Sequence, residues 1–152
     1  MEFDFHAPPL QSDIPALCEL LCLLFAQEVE FTSDRVAQSR GLALIIDNPE
    51  TGVILVARRD GLIVGMVNLL YTVSTALGAR VALLEDMVVA PDARGMGVGS
   101  CLLQAAVEHV RLNGCRRITL LTDQANEPAQ RFYRKQGFVS SAMMPFRLVL
   151  DE

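Results

Sequence analysis

Hydrophobic positions in the first third of the chain recur every three or four residues, the spacing of an amphipathic helix. Ser12-Asp13 can begin one predicted helix, which runs to about residue 26. Its apolar side consists of Leu17, Leu20, Leu21 and Leu24. A second helix is predicted from Ser33-Asp34 to about Ile46, with a loop at 28–32 between the two. Weak alternation over residues 3–6 predicts a short first strand.

The middle of the chain changes to apolar and β-branched runs with turn residues between them. Strands are predicted over residues 53–58, 62–75 and 79–90. The turn Arg59-Asp60-Gly61 joins the first two into a hairpin, and Ala76-Leu77-Gly78 makes the second turn. The pattern therefore predicts three consecutive antiparallel strands.

Helical spacing returns in the last third of the chain. Helices are predicted over residues 97–113 and 128–136, each followed by a glycine, Gly114 or Gly137, that suits a helix end. A buried strand is predicted at 117–122, and two last strands at 138–140 and 144–150. The element order predicts an α/β (α+β) fold with a mixed sheet, in one domain over residues 1–152.

Composition narrows the possible functions. The chain has 152 residues, 51% of them hydrophobic and 20% charged, as expected for one globular domain. Its net charge of −5 argues against a nucleic-acid partner, which requires a basic face. The run of about 18 apolar residues that a membrane helix needs is not present, and the N-terminal sequence does not resemble a secretory signal. We therefore expect a cytoplasmic protein without a membrane partner.

The four cysteines show neither CxxC spacing nor histidines at zinc-ligand spacing. Their pattern is typical of buried thiols in a reducing compartment. We expect no metal site.

A glycine-rich loop follows the third predicted strand and begins the third predicted helix. Its residues 91–103 read PDARGMGVGSCLL, with Gly95, Gly97 and Gly99 alternating behind Arg94. Glycines let a backbone approach a ligand closely, and free amides at a helix N-terminus attract phosphate. A Walker A loop requires a lysine that is missing here, and the spacing does not match the Rossmann fingerprint. A tight turn that binds nothing remains the alternative for these glycines alone.

Arg94-x-x-Gly97-x-Gly99 resembles the acyl-CoA pyrophosphate signature of the GNAT superfamily of N-acetyltransferases. Residues 126–138 (NEPAQRFYRKQGF) resemble that family's second signature, and the predicted element order resembles its fold. The resemblance implies a mostly antiparallel central sheet flanked by helices and splayed between the family's strands 4 and 5. It also implies acetyl-CoA as cosubstrate and an acetyltransferase reaction.

The resemblance implies which residues hold the cofactor. In the family, backbone amides of the glycine loop bind the CoA pyrophosphate and the fourth strand pairs with the pantetheine arm. The expected cofactor-binding residues are Met87, Val88, Val89, Arg94, Gly95, Met96, Gly97, Val98, Gly99, Ser100 and Asn126. Arg94 could instead be a solvated surface residue, and Asn126 can also cap the helix that starts beside Pro128.

The resemblance also implies catalytic residues. Tyr133 matches the family's general acid for the departing thiolate, although a tyrosine beside Phe132 on an amphipathic helix could equally be a core residue. Glu85 is the first candidate for the base that deprotonates the amine, and Asp86 is the second. Adjacent strand residues point to opposite faces, so one of the two is expected to face the cleft. The string LEDxxV at 84–89 resembles the diamine and polyamine branch.

Acceptor contacts are expected in the loop between the first two helices and in the last strands. The expected substrate-binding residues are Phe25, Glu28, Phe31 and Asp86, with Glu30 beside them and Met143, Met144 and Phe146 opposite. Their acidic groups favour a small cationic primary amine. A peptide or protein amine, or a non-catalytic acyl-CoA sensor, are the alternatives. Residues 143–150 (MMPFRLVL) can also serve as a homodimer interface.

Overall fold

The computed structural model describes residues 2–26 and 34–151. The predicted loop at 28–32, with Glu28, Glu30 and Phe31, lies outside the described residues. Contacts divide the chain into two compact units, Met1–Leu121 and Thr122–Glu152. The first unit contains a mixed α/β sheet that is mostly antiparallel and flanked by helices, as the sequence predicts.

Within residues 2–26 and 34–121, the first unit carries three helices and four strands in the predicted order. They are α1 (Ile14–Phe25), α2 (Arg35–Ile46), β1 (Gly52–Arg59), β2 (Leu62–Ser74), β3 (Ala79–Val89), α3 (Val98–Leu112) and β4 (Cys115–Leu120). Short 3-10 turns precede α1 and α3, at Gln11–Asp13 and Pro91–Ala93. The sheet order is β1-β2-β3-β4, in which β3 and β4 pair in parallel and the other neighbours pair antiparallel.

The helices of this unit cover the two faces of the sheet. Apolar side chains of α1 and α2 pack in one cluster with Val56, Met66 and Val88 of the strands. The neighbouring residue Ala57 belongs to a second cluster, which contains Val98 of α3. Successive strand residues point to opposite faces, so α1 and α2 lie on one side of the sheet and α3 on the other.

The second unit contains α4 (Glu127–Lys135), which the sequence predicts within a residue at each end. Asn126 is its N-cap, Pro128 lies in the first turn, and Gly137 follows the helix with φ at 103°. Proline and glycine occupy these positions because the first turn does not use the proline N–H and the helix end needs a positive φ.

Three predicted strands, at residues 3–6, 138–140 and 144–150, are not formed. Residues 138–151 form no strand, and residues 3–6 contribute only an isolated bridge between Asp4 and Arg58. Phe146 and the apolar residues around it are exposed instead. An alternating apolar run forms a strand only where a neighbouring strand supplies hydrogen bonds, and local sequence does not reveal that neighbour.

The ladder between β3 and β4 ends early, which confirms the predicted splay of the sheet. Their pairing runs from Arg80 opposite Cys115 to Leu84 opposite Leu120. β4 stops there, whereas β3 continues to Val89 and stays paired with β2 on its other side. The carboxyl-terminal part of β3 is therefore a strand edge next to the loop that leads into α3.

Candidate active site

The glycine loop between β3 and α3 has a backbone that requires glycine. Gly95 and Gly97 have φ values of 79° and 78°, in the left-handed region that other residues rarely adopt. A Cβ atom added to either glycine would have no neighbour within 4 Å. The space beside the loop is therefore open, and only the small size of glycine keeps the loop backbone accessible to a ligand.

The loop ends at a helix N-terminus that has no side-chain cap. Gly97 is the N-cap of α3, and its carbonyl oxygen accepts the first helical hydrogen bond from the Cys101 amide at 3.1 Å. The first amides of a helix have no acceptor within the helix and carry partial positive charge. Val98, 2% exposed, anchors this turn in the core. The site fits a bound phosphate group by its own geometry.

Arg94 has a contact that the sequence did not predict. Its Nε donates to the Val89 carbonyl oxygen at 2.9 Å, which links the loop to the last residue of β3. A second contact holds the loop, because Asp92 Oδ2 lies 3.0 Å from Arg59 of β1. These contacts link the loop to β1 and β3.

The free edge of β3 is the second part of the site. Met87 and Val88 pair with Val67 and Met66 of β2 on one side of the strand. In an antiparallel ladder, alternate residues direct their N–H groups to opposite sides, so part of this segment directs backbone amides away from β2. The Val88 side chain itself is buried in the core. The backbone on this side of the segment is unpaired by β4, and cofactor binding by Met87 to Val89 stays a prediction.

The two adjacent acids of β3 have different environments. Glu85 is exposed, whereas Asp86 is partly buried and accepts a hydrogen bond from Asn68 Nδ2 at 3.0 Å. Burial raises the pKa of Asp86, and the nearby Glu85 charge raises it further, while the Asn68 hydrogen bond acts in the opposite direction. Sequence reasoning missed Asn68, although an asparagine inside the apolar run of β2 was a visible signal.

In the second unit, Tyr133 of α4 packs between two aromatic rings, one on α4 and one just after it. Its ring is edge-on to those of Phe132 and Phe138, with distances between ring centroids of 5.2 Å and 5.6 Å. This packing holds the tyrosine in place, and its role as an acid stays a prediction. Asn126 Oδ1 accepts from the Ala129 amide at 3.2 Å, which confirms its role as helix cap.

The remaining expected site residues are less informative. Phe25 ends α1 and packs half-buried against the α1–α2 core, so its contact with an acceptor stays a prediction. Within residues 2–26 and 34–151, no three His, Cys, Asp or Glu side chains converge as metal ligands would. In the same part of the chain, the helices are too short or too polar to span a membrane.

Comparison with known proteins identifies the family. Residues 14–138 match the model of the Acetyltransferase (GNAT) family. The chain belongs to the GNAT family. It is therefore an acetyltransferase, and acetyl-CoA is the acetyl donor that this family uses.

Relatives of known sequence agree with this assignment. An uncharacterized N-acetyltransferase of Bacillus subtilis, YhfO, is 35% identical over 118 residues, which cover 76% of this chain and 78% of the relative. The aminoalkylphosphonate N-acetyltransferase of Salmonella typhimurium is 30% identical over 129 residues, covering 85% of this chain and 80% of the relative. The diamine-branch interpretation of residues 84–89 stays a prediction.

Solved structures confirm the fold. A possible acetyltransferase of Clostridium difficile superposes with a TM-score of 0.88 at 11% identity, with each chain fully covered. The aminoglycoside N-acetyltransferase AAC(6')-Iy in complex with CoA superposes with a TM-score of 0.80 at 19% identity, covering 97% of this chain and 95% of that one. At these identities the likeness concerns the fold alone.

Proposed function

We propose that this GNAT enzyme transfers the acetyl group of acetyl-CoA directly to the primary amine of a small cationic acceptor, within a ternary complex. The observation that carries the proposal is the free edge of β3 next to the uncapped N-terminus of α3. One element offers backbone amides to an extended arm and the other offers amides to a phosphate. Acetyl-CoA carries both groups.

The cofactor-binding residues follow from that arrangement. The amides of residues 94–100 hold the pyrophosphate, and Arg94 adds positive charge to it. The backbone of Met87, Val88 and Val89 holds the pantetheine arm, and one of these N–H groups stabilises the negative charge that develops on the thioester oxygen. Asn126 contacts the cofactor while it caps α4.

The acid–base groups are Tyr133 and the acidic pair of β3. A tyrosine hydroxyl with an ordinary pKa near 10 can protonate a departing thiolate, whose conjugate acid has a pKa of about 8.5 in a cysteine-like thiol. Glu85 is exposed at the free edge of β3 and is the first candidate to receive the ammonium proton. Asp86 contacts the acceptor beside it.

The small cationic acceptor is supported by charge and by likeness. The net charge is −5, and Glu85 and Asp86 lie together at the open edge. One relative acts on aminoalkylphosphonates, and a structural neighbour is an aminoglycoside acetyltransferase in complex with sisomicin. These acceptors are small amines. Phe25, Glu28, Glu30 and Phe31 are proposed to complete the acceptor site, with Met143, Met144 and Phe146.

The test is an amine panel in which release of free CoA thiol is measured with acetyl-CoA as donor. The panel contains polyamines, aminoglycosides, aminoalkylphosphonates and lysine-containing or free N-terminal peptides. Turnover with one small-amine class and not with peptides supports the proposal. Preference for peptides would replace the acceptor class. Acetyl-CoA binding without thiol release from any amine would favour the sensor alternative.

We also propose a single functional domain and a cytoplasmic homodimer. All four cysteines lie in described residues as free thiols, which suits a reducing compartment, although Cys101 is exposed rather than buried as expected. Exposed apolar residues at 143–150 favour association with a second copy, because such a strip is costly in water.

A further inference from the structure

A β-bulge interrupts the β2–β3 ladder at the edge of the candidate site. The two strands pair regularly from Ser74 opposite Ala79 onward, and Leu69 still lies opposite Leu84. The next pair is Asn68 opposite Asp86, so Glu85 is an extra residue without a partner in the β2 register. Bulges often redirect side chains beside active sites.

Asn68 is an unusual residue for this position. It is 4% exposed and lies between Val67 and Leu69, both fully buried. Its Nδ2 donates to Asp86 Oδ2 at 3.0 Å, whereas its Oδ1 is buried without a hydrogen-bond donor among the described residues. An apolar residue would fill this position without leaving a polar atom unsatisfied, so stability alone does not explain an asparagine here.

The Asn68–Asp86 pair lies beside the edge that the proposed function uses. Strand alternation places Asp86 on the same face as Val88, which packs in the α1–α2 cluster. The pairing of β3 with β4 ends at Leu84, two residues before Asp86. Asp86 is followed directly by Met87–Val89, the segment proposed to hold the pantetheine arm. Its carboxylate is thus held by β2 at the point where β3 becomes a free edge.

We propose that Asn68 is a positioning residue that holds the Asp86 carboxylate at the bulge as the proton acceptor for the amine. The inference rests on the proposed function and changes one part of it, since the proton goes to Asp86 and the exposed Glu85 attracts the cationic acceptor. Asn68 lies outside both family signatures, at residues 94–99 and 126–138, so neither signature gives it a role.

The amide of Asn68 can serve both protonation states of its partner. Nδ2 donates to the carboxylate as observed. When the carboxylate takes a proton from the acceptor ammonium, rotation of the amide by about 180° lets Oδ1 accept from the new O–H, because an amide is donor on one side and acceptor on the other. The buried Oδ1 that is unsatisfied beside the carboxylate then gains a donor.

The proposed acetyl transfer conserves protons and electron pairs. The acceptor ammonium gives one proton to Asp86, and the nitrogen lone pair forms a bond to the acetyl carbon. The carbon–sulfur bond breaks, and its electron pair leaves on sulfur, which is protonated by Tyr133. The second nitrogen proton restores the Tyr133 hydroxyl through solvent, and Asp86 releases its proton to water. The net reaction yields an amide, a thiol and one proton.

The groups around Asp86 define the expected pH behaviour. Glu85 is the neighbouring charge on β3 and raises the pKa of Asp86, while Asn68 from β2 lowers it. On the helix side, Cys18 Sγ of α1 lies 3.3 Å from Ser39 Oγ of α2. The carboxylate of Glu19 in α1 is paired with Arg35 of α2. Loss of the Asn68 donor therefore raises the pKa of Asp86, and activity that needs its carboxylate moves to higher pH.

The test compares Asn68→Leu, Asn68→Gln and Asp86→Asn with the wild type, using the best amine from the panel. In Asn68→Leu, the acid limb of the kcat/KM profile should move up by about one pH unit, a tenfold loss on the acid side with little change at high pH. Asn68→Gln keeps an amide donor, so its acid limb should lie between that of Asn68→Leu and that of the wild type. Asp86→Asn should remove the limb. Should Asn68→Leu not fold, Asn68→Ala also removes the donor and gives the same comparison.

A second measurement does not depend on turnover. The Asp86 carboxyl carbon is followed by NMR titration of the free protein, its resonance identified by its loss in Asp86→Asn. Asn68→Leu should move its midpoint to higher pH. An unmoved midpoint and an unmoved acid limb would overturn the inference, as would a limb that Glu85→Gln removes and Asp86→Asn retains. A wild type that acetylates no amine contradicts the proposed function itself, and an unmoved midpoint then still contradicts the pairing.

Discussion

Arg94 illustrates how one side chain combines folding with chemistry at the residue scale. Its Nε donates to the Val89 carbonyl oxygen, so the guanidinium is held at the end of β3, where the loop begins. The sequence offered two interpretations, a phosphate ligand or a solvated surface residue. The contact shows a third role that is compatible with the first, because one guanidinium carries five donors.

Tyr133→Phe should lower kcat by about a hundredfold or more, because general acid catalysis typically contributes 10²–10⁴. The affinity for acetyl-CoA, measured by calorimetry, should change less than about twofold, since an aromatic ring still packs against Phe132 and Phe138.

The matched control for this variant is Tyr71→Phe. Tyr71 is the other tyrosine of the chain. Arg80 Cζ lies 4.6 Å from the centroid of its ring, and Tyr71 pairs with Ala82, outside the bulge and the glycine loop. It loses the same hydroxyl and should keep wild-type turnover. Equal activity of Tyr133→Phe and wild type would remove Tyr133 as the acid.

Asp86→Asn should stabilise the protein while it removes activity. Burial raises the pKa of Asp86, so the folded state binds this proton more tightly than the unfolded state does. Stability therefore falls as pH rises from the ordinary aspartate pKa through the raised value, and the charge stays costly above it. Asparagine carries no such cost and can keep a hydrogen bond to Asn68.

The measurement is the melting temperature from pH 4 to pH 8. The variant should exceed the wild type at pH 8, with a difference that shrinks toward pH 4. Glu50→Gln removes an exposed carboxylate and serves as control, with little expected change. A variant that melts below the wild type at pH 8 contradicts the assigned cost of burial.

At the scale of elements, the boundaries of the helices and of β1 to β4 follow local sequence closely. Asp34 caps α2 through the Ala37 amide at 3.1 Å, and Gly114 follows α3 with φ at 87°. Caps, turn glycines and apolar periodicity act within a few residues, so one sequence reveals them. The strand predictions at 3–6, 138–140 and 144–150 failed because pairing partners are distant in sequence.

Gly97→Ala should cost about 1 kcal/mol of stability, because a left-handed φ is strained for alanine. It should also weaken acetyl-CoA binding, since the added methyl occupies the open space beside the first turn of α3. Thermal denaturation measures the first effect and calorimetry measures the second.

Gly78→Ala provides the control, because Gly78 has φ at 62°, also without a neighbour within 4 Å of the added Cβ. It lies in the β2–β3 turn and should lose similar stability while keeping cofactor affinity. If both variants bind acetyl-CoA as tightly as the wild type, the loop does not hold the pyrophosphate.

At the scale of the whole molecule, the early end of the β3–β4 ladder is the main feature. It converts the last part of β3 from a core strand into an edge, so the backbone of Met87–Val89 becomes available to a ligand. The same sheet places α3 so that its N-terminus follows directly from that edge. A family resemblance implied this arrangement, and the described register shows where the opening starts.

Phe146→Asp should weaken self-association if the apolar strip at 143–150 is a homodimer interface. Phe146 is 92% exposed, and a charge there opposes burial against a second copy. Light scattering after gel filtration should give a dimer for the wild type and a lower mass for the variant. Leu112→Asp, at a 77% exposed position at the end of α3, should leave the mass unchanged. A monomeric wild type would contradict the proposal.

The sequence by itself determined the helices, strands β1 to β4, the glycine loop and the family, because these depend on contacts between near neighbours and on short motifs. Tertiary structure decided what depends on distant partners. It placed Asn68 against Asp86, put Glu85 in a bulge, set the end of β4 at Leu120 and left residues 138–151 without a strand. Strand register and burial arise only when distant segments meet. The local pattern therefore showed Glu85 and Asp86 in β3 without showing which of them is hydrogen-bonded by β2.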